Sequence, residues 1–123
     1  MARVFRTRTF SRWMRRAGLT DARLVACVAE MAEGLIDADL GGRVVKKRIA
    51  LAGRGKSGSA RAIVATNLDD RWYFVFGFAK NERSTIGPAE LRALKALAED
   101  LLALDAAAIA AACRAGEIVE IGS

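Results

Sequence analysis

With 123 residues the chain is long enough to form one domain whose core needs no disulfide or metal to hold it. Its formal charge of +6 is unevenly spread: residues 1–61 hold 14 Lys and Arg against 5 Asp and Glu, so +9, and residues 62–123 hold 6 against 9, so −3. That asymmetry favours RNA, DNA or an acidic protein as partner over a small neutral ligand, and the absence of histidine leaves any catalysis to Lys, Arg, Tyr or a carboxylate.

No window approaches the roughly 20 apolar residues of a membrane span. The N-terminal MARVFRTRTF is basic but lacks the apolar stretch of a signal peptide, so a cytosolic location without membrane contact is expected. Cys27 and Cys113 lie in apolar, helix-like surroundings with no CxxC, and read as reduced structural thiols.

Residues 2–9 alternate arginines with β-branched and aromatic residues, which predicts an edge strand. A short helix follows over residues 11–17, ended by Gly18. Thr20 then caps a second helix, in which Leu24, Val25, Val28, Met31 and Leu35 recur at helical spacing up to Gly34. The stretch IDADLGG, residues 36–42, reads as a loop, and Asp37 and Asp39 in it as solvated acids rather than a metal pair.

Residues 43–61, RVVKKRIALAGRGKSGSAR, carry seven basic residues and no acid, and form the centre of the functional reading. Strand periodicity sends Val45, Ile49 and Leu51 to one face and Lys46, Arg48 and Ala50 to the other. The glycine-rich GRGKSGS turns the chain into a second strand, ARAIVAT, and a hairpin would carry Arg61 close to Lys46 and Arg48. A P-loop is excluded: the first glycine of GxxxxGK[ST] would fall on Ala50, and a strand, not a helix, follows.

NLDD, residues 67–70, turns into RWYFVFGFA, which holds five of the eight aromatics and predicts a central strand buried on both sides. Charge returns at once in KNERS. Pro88 then opens a helix with the stripe Leu91, Leu94, Leu97, Leu101, and Asp105 caps an alanine-rich helix that Gly116 ends before EIVEI. This tail either packs back on the domain or orders only against a partner.

The element order strand, helix, helix, three strands, helix, with the strings RVVKKRIALAGRGKSGSAR and FGFAKNERS, resembles the RelE/HigB family of bacterial toxins over residues 3–103. The resemblance implies an α+β fold: a small antiparallel four-stranded sheet covered by two N-terminal helices and a C-terminal helix. Residues 1–104 would form the toxin domain and residues 105–123 a helical tail outside it. It also implies a ribosome-dependent mRNA endoribonuclease (an mRNA interferase) that inhibits translation, uses no cofactor or metal, and is neutralised by a cognate antitoxin of helix-turn-helix type.

By that resemblance, the catalytic basic residues fall on Lys46, Arg48 and Arg61. Asn81 stands where the family commonly has a catalytic arginine in K-R-E-R-S, which leaves Arg83 or Lys80 to replace it. Arg43, Lys47, Arg54 and Lys56 would contact mRNA or ribosomal RNA. Metal-free cleavage needs a base for the 2′-hydroxyl, positive charge on the phosphate and an acid for the leaving oxygen. A lysine crowded by Arg48, Arg61 and Lys47 gives up its proton more readily than an arginine, which makes Lys46 the expected base. Asn81 keeps open a second reading, a non-catalytic binder such as a ParE-like gyrase-inhibiting toxin or a degenerate toxin acting as a DNA-binding corepressor.

Overall fold

The computed structural model describes residues 2–51, 59–83 and 85–122. They form a six-stranded sheet between two pairs of helices. In chain order the elements are β1 (Arg3–Thr7), α1 (Arg8–Ala17), α2 (Asp21–Ala32), β2 (Ala38–Gly41), β3 (Val44–Ala50), β4 (Ser59–Thr66), β5 (Arg71–Ala79), α3 (Pro88–Leu102), α4 (Ala106–Arg114) and β6 (Ile118–Ile121). The sheet order is β2-β3-β4-β5-β1-β6, antiparallel except where β1 runs parallel to β5.

The class is α+β as expected, but the sheet has six strands, not four, and the tail ends in a strand. Residues 36–42, expected as a loop, contain β2. Gly42 and Arg43, with φ 59° and 65°, form the two-residue turn of its hairpin with β3, and only backbone tolerant of positive φ closes that turn. The tail packs back on the domain. β6 pairs antiparallel with β1, Ile109 and Ile118 enter the core, and the Arg8 guanidinium donates to the carbonyls of Ala115 and Gly116 at the end of α4.

β1 is therefore an interior strand. Its arginines suggested an edge, yet Val4 and Phe5 are buried on opposite faces, and both arginines have carboxylate partners: Arg3 with Glu120 at 2.8 Å and Arg6 with Asp21 at 3.0 Å. α1 begins directly after β1. The Thr7 hydroxyl accepts from the Phe10 amide at 3.2 Å, so the helix starts three residues earlier than the sequence pattern predicts.

α1 and α2 cover one sheet face through Phe10, Trp13, Leu24 and Met31. α3 and α4 cover the other through Leu101 and Ile109, packed on Ile63, Tyr73 and Val75. Each face removes large apolar side chains from water, at about 1.5–3 kcal/mol per fully buried one before the entropy of ordering is counted. On the first face Trp13 lies flat on Gly77, where a Cβ would come within 2.3 Å of the indole. Among the described residues, no helix is long and apolar enough to cross a membrane.

Candidate functional site

The β3–β4 hairpin sets Arg48 directly opposite Arg61, and Lys46 opposite Ile63. Paired residues of an antiparallel ladder point to the same side, so Lys46, Arg48 and Arg61 share the face that α3 covers farther along, while Val45 and Ile49 enter the core under α2. On the next strand Phe78 pairs with Arg61, and Phe76 with Ile63. The cations thus stand beside an aromatic strip.

Arg83 leaves the end of β5 and folds back over that strip, its guanidinium carbon 5.8 Å from the Phe76 ring centre and 5.5 Å from that of Phe78. A two-pronged pair with Glu90 in the first turn of α3 fixes it there, with Nη1 3.0 Å from one carboxylate oxygen and Nη2 on the other. The Glu90 carboxylate also accepts from the Gly87 amide at 3.1 Å. Hydrogen bonds from Arg83, then from Gly87, hold the Glu90 carboxyl below its ordinary range.

Arg61 reaches the other way. Its Nε lies 3.3 Å from an Asp37 oxygen, with the two side chains 17% and 31% exposed. Asp37 precedes β2, and β3 lies between β2 and β4, so the Arg61 side chain crosses over β3 at the level of Lys46 and Arg48. Asp37 is itself fixed by its amide, which donates to the Lys46 carbonyl at 2.9 Å. The two acids of residues 36–42 therefore do different things: Asp39 accepts from the Gly41 amide at 2.9 Å within its own turn.

Lys47 is placed elsewhere. Grouped by sequence with the RNA-contacting residues, it points to the α2 face with Val45 and Ile49 and is 7% exposed. Its ammonium lies 2.8 Å from Glu30 and donates to the Leu35 carbonyl at 2.9 Å, which also holds the Glu30 carboxyl below its ordinary range. A lysine on a core-facing position must find such partners as it loses water. One of the three cations expected to crowd Lys46 is thus on the far side of the sheet.

Lys80 is exposed in the turn after β5, and its amide donates to the Ser59 carbonyl at 3.2 Å, one ladder step past Arg61. Asn81 borders a cleft with Trp13, Arg16 and Leu51 on the α1 side of the sheet, away from Lys46 and Arg48. Arg43 occupies the β2–β3 turn, about 17 Å along the strand from Arg48. There it lines a recess with Arg92 and Lys95 of α3. Arg54 and Lys56 lie outside the described residues.

Sequence reasoning missed Asp37, Glu90, Arg92 and Lys95. The last two are three apart on a helix and so share a face, a readable signal; that this face meets Arg43 depends on the fold. The arrangement can seat a phosphodiester on Lys46 and Arg48, stack a base near Phe76, and hold two further guanidiniums in fixed positions.

A family model described as the RelE toxin of the RelE/RelB toxin–antitoxin system matches residues 2–121. The match takes in α4 and β6 as well as the elements that precede them. No curated protein matches the chain.

Proposed function

Since this chain belongs to the RelE family of toxins of toxin–antitoxin systems, we propose that it is a ribosome-dependent mRNA endoribonuclease, held inactive by a cognate helix-turn-helix antitoxin and acting in the cytosol. The observation that carries this reading is the register that puts Arg48 opposite Arg61 with Lys46 on the same open face. In this reading Lys46 moves a proton, Arg48, Arg61 and Arg83 stabilise the charge that builds on the scissile phosphate, and Lys80 contacts the strand beside them. Arg43, Arg54 and Lys56 extend the contact to flanking RNA, and Lys47 supports β3 against α2. The unit that does this is residues 1–104, with residues 105–123 bracing β1.

Primer extension on an mRNA bound to purified ribosomes tests it. New 3′ ends are expected only when protein and ribosome are both present, and Lys46→Ala should abolish them in a protein that keeps its fold. Asn81 favours a second reading, a binder without cleavage activity, because the residue at the family's arginine position points to the α1 side. No new ends with folded protein, together with gyrase inhibition or operator DNA binding, would establish that reading instead.

A further inference from the structure

We infer that Asp37 is the group that takes the 2′-hydroxyl proton, with Lys46 as the ammonium that protonates the leaving 5′-oxygen. This rests on the endoribonuclease reading above and assigns its acid and base. Three observations lead to it. Asp37 directly precedes Ala38, the residue paired with Lys46; its amide donates to the Lys46 carbonyl at 2.9 Å, and its ion pair with Arg61 brings its carboxylate to the face that holds Lys46 and Arg48. One of its oxygens lies against Arg61 at 3.3 Å, and among the described residues no donor engages the other. The second carboxylate at this face, Glu90, is engaged on both oxygens by Arg83 and again by the Gly87 amide, so it already accepts three of the about four hydrogen bonds a carboxylate can take and is the less available of the two.

The division of labour follows from charge. A carboxylate accepts a proton at neutral pH without first having to lose one, as an ammonium must. An ammonium is already in the form that donates. The loss of Lys47 to the opposite face and the presence of Asp37 remove the crowding that favoured Lys46 as base. In the reaction, the 2′-oxygen gives its proton to Asp37 and forms a bond to phosphorus. The bond from phosphorus to the 5′-oxygen breaks, and that oxygen takes a proton from Lys46. The products are a 2′,3′-cyclic phosphate and a 5′-hydroxyl, and exchange with water returns both side chains to their starting forms. Arg61, held on the other Asp37 oxygen, keeps the carboxylate oriented while facing the phosphate.

An ion pair serving only to fix Arg61 would need an acceptor at position 37, not a base, and Asn supplies one. The experiment is single-turnover cleavage of ribosome-bound mRNA by the full-length protein and by Asp37→Asn, Asp37→Glu and Lys46→Met. It uses RNA with an ordinary scissile linkage and RNA with sulfur in place of the leaving 5′-oxygen. Sulfur departs without a proton, so it relieves the loss of an acid but not the loss of a base. We expect Asp37→Asn to slow cleavage about 100-fold or more on both RNAs, with binding and melting close to wild type. Lys46→Met should be slow on the ordinary RNA and largely recovered on the sulfur-containing one. Asp37→Glu should retain more activity than Asn. Cleavage by Asp37→Asn within about threefold of wild type, its recovery on the sulfur substrate, or equal loss in Asn and Glu would overturn the assignment and leave the endoribonuclease standing. Failure of the wild-type protein to cut either RNA would overturn both.

Discussion

The geometry of β3 divides its basic residues between two faces, and under the proposed function the salt dependence of RNA binding reads that division directly. Each lysine or arginine that displaces a counterion from a single-stranded RNA phosphate adds about 0.7 to the slope of log affinity against log salt. Raising salt fourfold, from about 50 to about 200 mM, therefore costs about 2.6-fold in affinity per contact. Arg48 is exposed on the open face and Lys47 is 7% exposed on the other, 2.8 Å from Glu30. Arg48→Ala should lower the slope by about 0.7 and Lys47→Met should leave it unchanged. Glu90→Gln should raise it by up to about 0.7, because Arg83 loses the carboxylate that now satisfies it. Anisotropy of a labelled RNA oligonucleotide titrated across a salt series measures all three. Lys47→Met serves as the control once melting shows it folded, since it loses the hydrogen bond to the Leu35 carbonyl, at about 1–3 kcal/mol, while Glu30 remains half in water. A slope for Lys47→Met that falls as far as that of Arg48→Ala would refute the two-face account.

Tyr73 is stacked on Phe5 with ring centres 4.8 Å apart, and its buried hydroxyl has no hydrogen-bond partner among the described residues; Tyr73→Phe should raise stability by about 1 kcal/mol in urea unfolding. Gly77→Ala drives a methyl to within 2.3 Å of the Trp13 ring and should cost about 2–3 kcal/mol, and clearly less when Trp13 is first changed to Leu; equal costs in the two backgrounds would mean the strand shifts instead. Hydrogen bonding to Arg3 holds the Glu120 carboxyl below its ordinary range. That link is present above the unfolded glutamate pKa and is lost as pH falls through the lower folded one, so hydrogen-exchange protection of β6 should drop on acidification and become flat with pH in Glu120→Gln.

What could be read from the sequence followed how local the physics is. β5 spans residues 71–79 as expected because its aromatics leave no polar face, and α3 starts at Pro88 because proline and Glu90 suit a first turn. β2 and β6 have four residues each and exist through their neighbours. β6 pairs Ile121 with Val4 from opposite ends of the chain, and no window of sequence contains both. Lys47 was legible and misread: the period of two that aligned Lys46 with Arg48 also aligned Lys47 with Val45 and Ile49, and its charge outweighed its position. Asp37 was not legible, because its role depends on an Arg61 side chain reaching across an intervening strand.

Four cations on one sheet face repel one another, and a fold that keeps them there has to offset the repulsion. It does so at the flanks. Asp37 meets Arg61 and Glu90 meets Arg83, while Lys46 and Arg48 have no carboxylate partner among the described residues and remain in contact with water. With four cations and two carboxylates, the cluster has a formal charge of +2, so its attraction for a polyanion is moderate. What the two pairs supply instead is position. Arg83 is clamped over Phe76 and Phe78, and Arg61 is drawn over β3, so their orientation is set before a phosphate arrives and little side-chain entropy is lost on binding it. Such a face holds a phosphodiester in one geometry better than it captures RNA from solution. Under the proposed function, that is a reason for the substrate to be delivered by a larger body that already holds the mRNA.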